Sequence, residues 1–395
     1  MIASANTTNP KLDQKLSIQS QEFAINSIAV RSLDWNRSRF DIEFGLRNGT
    51  TYNSFIIKGE KVAIIDTSHL KFESLWLEEL KKNVNPADIN YLITSHTEPD
   101  HSGLIGQLIA INPNITIVGS KLALKFIEDQ IHKPFKRIEV KSGEFLDLGV
   151  NANSGISHKI EFISAPNLHW PDTIFSYDHG TNVLYTCDAF GLHYCSGDMF
   201  DTNQKEILGD FRFYYDCLMG PNARSVLQAI KKIDKLPKLV TIAVGHGPLL
   251  QNQVNFWKDK YFEWSNNKSK GNDFLAVCYI SDYGYCDRLS QALSHGITKA
   301  DGQVQLIDLR SSDPQELTAL IADSKAVVIP TWPTEADNDL KNSLGTLFAA
   351  LKPKQLTAIY DSFGGNDEPI DELRNKLREL GQKEALVPLR VKKTP

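Results

Sequence analysis

The stretch Ser95-His96-Thr97-Glu98-Pro99-Asp100-His101-Ser102-Gly103 decides how the chain reads. It follows the apolar run Tyr91-Leu92-Ile93-Thr94, so it leaves a strand, and it ends where a helical pattern begins. Two imidazoles and two carboxylates fall within six consecutive positions, and no helix or strand face needs that composition. A polar loop with a helix N-cap would account for one Asp. It does not account for His, Glu, Asp and His together, so the loop reads as a metal site in miniature.

Working outward, further candidates stand where other apolar runs stop. His169 follows the strand 160–164, Asp188 ends the run Leu184-Tyr185-Thr186-Cys187, and His246 follows the strand 239–244. Taken singly, each reads as a satisfied structural residue. Their shared placement at strand ends makes them a set. His96, Glu98, Asp100, His101, His169, Asp188 and His246 are too many for one ion and suit two, with one carboxylate bridging. A donor set rich in carboxylate oxygen shifts preference from zinc toward iron or manganese, although zinc also accepts Asp.

Around these residues the pattern from residue 25 is an antiparallel meander of short strands, followed by alternating strands and helices up to 264. Residues 1–24 read as a polar N-terminal arm. The polar stretch 265–272, Ser265-Asn266-Asn267-Lys268-Ser269-Lys270-Gly271-Asn272, reads as a linker. From 273 to 395 strand and helix alternate five times, which implies a doubly wound parallel sheet with ligands at the carboxyl ends of its strands. The fold class is therefore α+β, then α/β. Three loops stand at those strand ends: Ser281-Asp282-Tyr283-Gly284-Tyr285, Pro330-Thr331-Trp332-Pro333, and Ser362-Phe363-Gly364-Gly365. The first can cradle a phosphate at a helix N-terminus, and the other two suit a flat ring. None is a dinucleotide or P-loop fingerprint.

At 395 residues, with 41% hydrophobic and 23% charged residues and a formal charge of −5, the chain reads as globular, with no basic surplus for nucleic acid or anionic lipid. No apolar run approaches the roughly 18 residues of a membrane span. No signal peptide is legible, so a cytoplasmic location is expected. Five cysteines without paired spacing read as reduced thiols. The aromatic cluster Phe211, Phe213, Tyr214 and Tyr215 reads first as core packing and second as the lining of a pocket.

The motif His96-x-Glu98-x-Asp100-His101, with His169, Asp188 and His246 in order and a flavodoxin-like second half, resembles the flavodiiron proteins of the photosynthetic kind. In them Glu takes a position where zinc hydrolases of the metallo-β-lactamase fold have His. The resemblance implies a metallo-β-lactamase-like αββα domain followed by a flavodoxin-like FMN domain. One iron would take His96, Glu98 and His169, the other Asp100, His101 and His246, with Asp188 bridging as the catalytic carboxylate. It also implies FMN on the three loops, with the first in the Asp-Tyr-Gly-Tyr form of photosynthetic members.

The implied reaction is reduction of O2 to water, a photosynthetic electron sink, with NO reduction as the family alternative. Implied partners are a donor such as reduced ferredoxin or an NAD(P)H:flavin reductase module, the latter a third domain in photosynthetic members. The expected assembly is a head-to-tail homodimer, or a heterodimer with a paralogue. Two further readings stay open: a dinuclear zinc hydrolase, and a catalytically silent partner subunit.

Overall fold

The computed structural model describes residues 16–40, 44–269, 274–280, 286–300, 302–310, 312, 314–332, 336–363 and 370–392. Alternation of side chains builds the first half. In the strand Thr50–Lys58, Phe55 and Ile57 point into one apolar cluster while Tyr52 and Ile56 point into another, as the two-residue period of a strand requires. A strand apolar on both faces must be covered on both, and this one lies in the middle of a seven-stranded mixed sheet.

That sheet runs in the order Leu16–Ala24, Ser27–Asp34, Thr50–Lys58, Val62–Ile65, Ile89–Ile93, Thr116–Gly119, Lys136–Glu139. Its first four strands pair antiparallel and its last four parallel. A second sheet, Phe145–Val150, Ser157–Ser164, Ile174–Asp178, Val183–Cys187, Thr241–Val244, stacks on it. The shared core contains Phe55, Ile65, Ile93, Phe162, Val183 and Tyr185. The outer face of the first sheet is covered by helices Glu73–Asn83, Ile105–Ile111 and Lys121–Ile131, through residues such as Trp76, Leu108 and Ile127. The outer face of the second is covered by Gln204–Tyr214, Ala223–Ile233 and Val254–Lys268.

The result is the αββα sandwich. Each buried Leu- or Phe-sized side chain in these layers contributes roughly 1.5–3 kcal/mol. The two fully buried tryptophans also satisfy their indole N–H groups, Trp76 on Ser54 Oγ at 2.8 Å and Trp257 on Asp201 Oδ2 at 2.6 Å.

The second half is a parallel sheet in the order Gln303–Asp308, Phe274–Tyr279, Ala326–Pro330, Leu356–Phe363, with Lys383–Glu384 and Leu389–Lys392 both pairing the last of these. This is the flavodoxin-like order, in which the first strand lies between the second and the third. The helices Cys286–Lys299, Pro314–Asp323, Asn338–Ala350 and Ile370–Glu379 connect the strands. The halves touch: Tyr279 Oη donates to Asn167 Oδ1 at 2.7 Å, and the Arg224 guanidinium lies 4.5 Å over the Phe274 ring.

Two boundaries differ from the sequence reading, and two elements are new. The expected arm, 1–24, contains the nine-residue strand Leu16–Ala24, paired from Leu16 opposite Asp34. Its polar composition is that of an edge strand held by backbone pairing rather than by an apolar face. The expected linker, 265–272, begins inside the helix Val254–Lys268, because Trp257, Tyr261 and Trp264 anchor that helix to the core and its hydrogen bonding runs on past the last anchor. The strand Phe145–Val150 and the helix Val254–Lys268 were not expected at all.

Candidate metal centre

The ligand loop is shaped by its own sequence. After the strand Ile89–Ile93, Thr94 N–H still donates to the Val118 carbonyl at 2.8 Å, and Asp66 Oδ1 accepts from Ser95 N–H at 2.7 Å. Glu98 then caps a single helical turn, Pro99–Ser102, where proline at the first position loses no hydrogen bond. Gly103 closes the turn because any Cβ there would lie 2.4 Å from the Pro99 carbonyl oxygen. Asp172, from the other sheet, fixes the middle of the loop, its Oδ2 accepting from Thr97 N–H at 2.9 Å and Thr97 Oγ1–H at 2.6 Å.

His169, Asp188 and His246 come from the second sheet, as their strand-end positions predict. Asp188 stands between two groups of side chains. Its Oδ2 is 2.9 Å from His96 Nε2 and 3.1 Å from His169 Nε2, and its Oδ1 is 2.9 Å from His101 Nε2 and 3.2 Å from His246 Nε2. Glu98 Oε2 completes the first group at 3.0 Å from His169 Nε2. Asp100 completes the second, with Oδ2 3.3 Å from His246 Nε2 and Oδ1 3.6 Å from His101 Nε2. All seven predicted ligands thus meet, divided into His96, Glu98, His169 and Asp100, His101, His246, with one carboxylate between.

The electrostatics are those of a cation site. Burial would raise the Asp188 carboxyl, but His101, His169 and His246 outweigh it and hold it well below the usual carboxylate range. Asp100 goes the same way against its own burial, through His101 and His246. Burial would lower the imidazoles, yet Asp100 and Asp188 raise His101 to about 9 and His246 to about 10. His169 is raised as well, by Asp188 and Glu98. Both Asp100 oxygens and His246 Nε2 are buried without a hydrogen-bond partner, so these donor atoms converge on a shared space rather than on each other. Two divalent ions fit there, and the carboxylate-rich donor set suits iron.

Partners outside the ligand set orient the ligands. Thr51 O lies 2.5 Å from His246 Nδ1, so Nδ1 donates and Nε2 faces the carboxylates. Asn53 Nδ2 donates to the carbonyls of Val244 at 2.8 Å and Gly247 at 2.9 Å, tying the His246 turn to the first sheet. Thr67 Oγ1 donates to the His101 carbonyl at 2.6 Å. His193, missed in the sequence, is not a ligand. Its Nδ1 is 2.8 Å from Thr50 Oγ1, and its ring lies between Phe40, at 4.1 Å, and His246, at 4.8 Å. Burial and then the neighbouring His246 push its imidazole well down.

A cavity of about 450 Å³, lined by Arg47, Asn48, Glu206, Asp210, His193 and Tyr214 among others, reaches the His193 ring, whose neighbour is His246. The aromatic cluster divides. Phe211 packs on Trp257 and Tyr261, Tyr215 bonds Ser265 at 2.8 Å, and Phe213 is exposed, while Tyr214 alone turns to His193 and His246.

Comparison with known proteins places this geometry. A family model described as ODP family beta lactamase matches residues 50–247. Diflavin flavoprotein A 1 of Synechocystis is 51% identical over 98% of this chain and 67% of its own length, and putative diflavin flavoprotein A 3 of Nostoc is 51% identical over 98% and 66%. The metal-soaked Flv1 flavodiiron core of Synechocystis superposes with a TM-score of 0.82 at 30% identity, covering 96% of this chain and 94% of that one. The chain belongs to the flavodiiron family.

Rubredoxin oxygen:oxidoreductase of Desulfovibrio gigas, at 24% identity and a TM-score of 0.60, shares the fold. The chain spans about two thirds of the length of the curated relatives. Membership brings the family's cofactors, a non-haem diiron centre and FMN, and its class, oxidoreductases.

Of the loops expected to hold a flavin, Pro330, Thr331 and Trp332 stand at the carboxyl end of their strand. Thr331 Oγ1 donates to Asp361 Oδ1 at 2.9 Å, and the Trp332 ring packs 5.9 Å from Phe348. Ser362 and Phe363 end the next strand. Ser281, Asp282, Tyr283, Gly284, Tyr285, Pro333, Gly364 and Gly365 lie outside the described residues. No described helix is long and apolar enough to cross a membrane.

Proposed function

We propose that this flavodiiron chain reduces O2 to water. The observation that supports it most directly is Asp188 between two complete ligand triads, one of which contains the carboxylate Glu98 rather than a third imidazole. A zinc hydrolase has no use for that substitution or for a flavodoxin-like half, and a silent subunit has no use for all seven ligands.

When bound, two irons supply two electrons and FMN two more, the four that take O2 to water. His96, Glu98, His169 and Asp188 would hold one iron, and Asp100, His101, His246 and Asp188 the other. The remaining work belongs to the surrounding residues. Six of the seven ligands are buried and Glu98 nearly so, at 12% side-chain exposure, which keeps bulk water from the centre. The Tyr214 hydroxyl is buried without a hydrogen-bond partner at the inner end of the cavity. Burial also pushes its phenol up, so it stays protonated and has a hydrogen bond to donate to a small molecule entering there.

The cavity is the route for that molecule. Electrons would reach the centre through FMN in a head-to-tail dimer, fed by a ferredoxin-type donor or an NAD(P)H:flavin reductase module. The cyanobacterial origin of the relatives supports a cytoplasmic electron sink for photosynthesis.

The test is a purified full chain assayed for flavin, iron and oxygen uptake from a reduced donor, beside rates with NO. Two irons, a flavin spectrum and faster O2 than NO turnover are expected. Asp188→Asn, which keeps the shape and removes the bridging charge, abolishes uptake with flavin retained. Zinc without flavin, or unchanged turnover in Asp188→Asn, overturns the reading.

A further inference from the structure

One ligand-type side chain at the centre has no part in either triad. Cys187 is the last residue of the strand Val183–Cys187, immediately before Asp188, and it is buried. Along a regular strand its side chain would alternate away from that of Asp188. Instead the parallel pairing with Thr241–Val244 shifts register between Tyr185 and Cys187, and Cys187 adopts φ +51°, a left-handed conformation that cysteine rarely takes. A bulge and a left-handed residue together re-aim a side chain, and these aim the thiol inward. Its Sγ, His96 Nε2 or Nδ1, one His101 ring nitrogen and one Asp188 oxygen all lie within 4.8 Å of one another. The backbone is pinned in this pose, since Gly245 N–H donates to the Cys187 carbonyl at 2.6 Å.

The geometry points to a second, mutually exclusive metal mode: a single thiophilic divalent cation, of which Zn2+ is the type, held by His96, His101, Cys187 and Asp188. Two imidazoles, one thiolate and one carboxylate make a tetrahedral donor set, with bonds of about 2.3 Å to sulfur and about 2.0–2.2 Å to nitrogen and oxygen. The step balances without redox change: the S–H bond breaks, the S–Zn bond forms, and the proton leaves to solvent.

Exclusivity follows from the ligand list. His96 and His101 belong to different triads, and Asp188 bridges them, so one ion holding all three dismantles the two-ion arrangement. The thiol therefore makes the centre a trap for zinc, and loading with two irons depends on zinc being kept away. This rests on ligand placement alone and stands apart from the oxygen reaction.

Co2+ is the probe, since a tetrahedral cobalt thiolate gives a near-ultraviolet sulfur-to-metal charge-transfer band. Metal-stripped full-length chain should show that band at one equivalent of Co2+, and Fe2+ in excess should bleach it. Cys187→Ser and Cys187→Ala should lose the band yet take up two irons per chain with flavin content and unfolding midpoint unchanged, and wild-type chain given one equivalent of Zn2+ first should take up fewer than two.

No band in the wild type, a band that Fe2+ leaves intact, or a band that survives in the variants overturns the proposal. If the variants fail to fold, the bleaching by Fe2+ in the wild type decides. Oxygen uptake by the iron-loaded chain without any thiolate band would sink this inference and leave the proposed function standing. A thiolate band in a chain that takes up no oxygen would do the reverse.

Discussion

Asp172→Ala is the substitution whose cost the structure lets one work out. Asp172 is 1% exposed and touches no substrate route; its work is to hold the ligand loop. Removing its carboxylate strands two buried donors, Thr97 N–H and Thr97 Oγ1–H, which it accepts at 2.9 and 2.6 Å. An unsatisfied buried donor costs about 1–3 kcal/mol, and the hydroxyl can rotate toward another acceptor where the amide cannot, so the sum lies at about 2–4 kcal/mol. The same change removes the carboxylate oxygen 4.0 Å from His96 Nδ1, beyond hydrogen-bond distance but close enough to act through its charge, and frees the loop that carries His96 and Glu98, so iron affinity should fall, toward the 10- to 100-fold typical of a lost outer partner.

The assay is urea unfolding of the metal-stripped protein together with an iron titration followed by optical absorption. Asp172→Asn separates the two effects, because its amide oxygen still accepts from Thr97 but carries no charge toward His96. It should recover stability to within about 1 kcal/mol of wild type while iron affinity stays reduced. An Asp172→Ala protein within about 0.5 kcal/mol of wild type, with full iron affinity, would refute the reasoning.

Gly245→Ala should lower iron content below two per chain. Its Cβ would lie 2.8 Å from His101 Cε1 and 3.0 Å from the Cys187 carbonyl carbon, so the His101 ring or the strand end must move; metal analysis on folded protein checks it. The stability of metal-stripped protein should fall on the alkaline side. His101 and His246 have folded values of about 9 and about 10 against 6.5 unfolded, so their contribution is whole below 6.5 and is lost as pH rises through 9 to 10. Asp100 and Asp188, lowered from 3.8, give a contribution that is present above that value and lost below it. Unfolding midpoints across pH should therefore decline above about pH 6.5 from the His101 and His246 imidazoles, with a separate acid-side loss below 6.5 from His193, whose buried imidazole is pushed well down, and iron loading should remove the alkaline decline because the metal takes the place of the protons.

The ligands were legible because each stands at the end of an apolar run, and a strand end is where a polar side chain can face a site without spoiling a core. The second half was legible for a related reason: strands buried on both faces, such as Ala326–Pro330, read as short continuous apolar runs between helices. The strand Leu16–Ala24 was not, since its stability lies in the register with Ser27–Asp34, and register leaves no mark on an edge strand's composition. The helix Val254–Lys268 does leave a mark, Val254, Trp257, Tyr261 and Trp264 at helical spacing, but its polar end merges in composition with the stretch that follows. Asp172, Thr51 and His193 could not be found: each is an ordinary residue in its own segment, and only the folding of the two sheets brings it beside a ligand.

The division of ligands between the sheets has a consequence for the unfolded chain. His96 and Asp188 are 92 residues apart in sequence and 2.9 Å apart at the centre, so an ion shared by them closes a loop as a disulfide would. The chain entropy removed by a cross-link of that span corresponds to about 4–5 kcal/mol. Seen this way the metals are rivets through the sandwich: the loop that gives the protein its chemistry also fastens one layer to the other, and a chelator would loosen the fold as well as the activity.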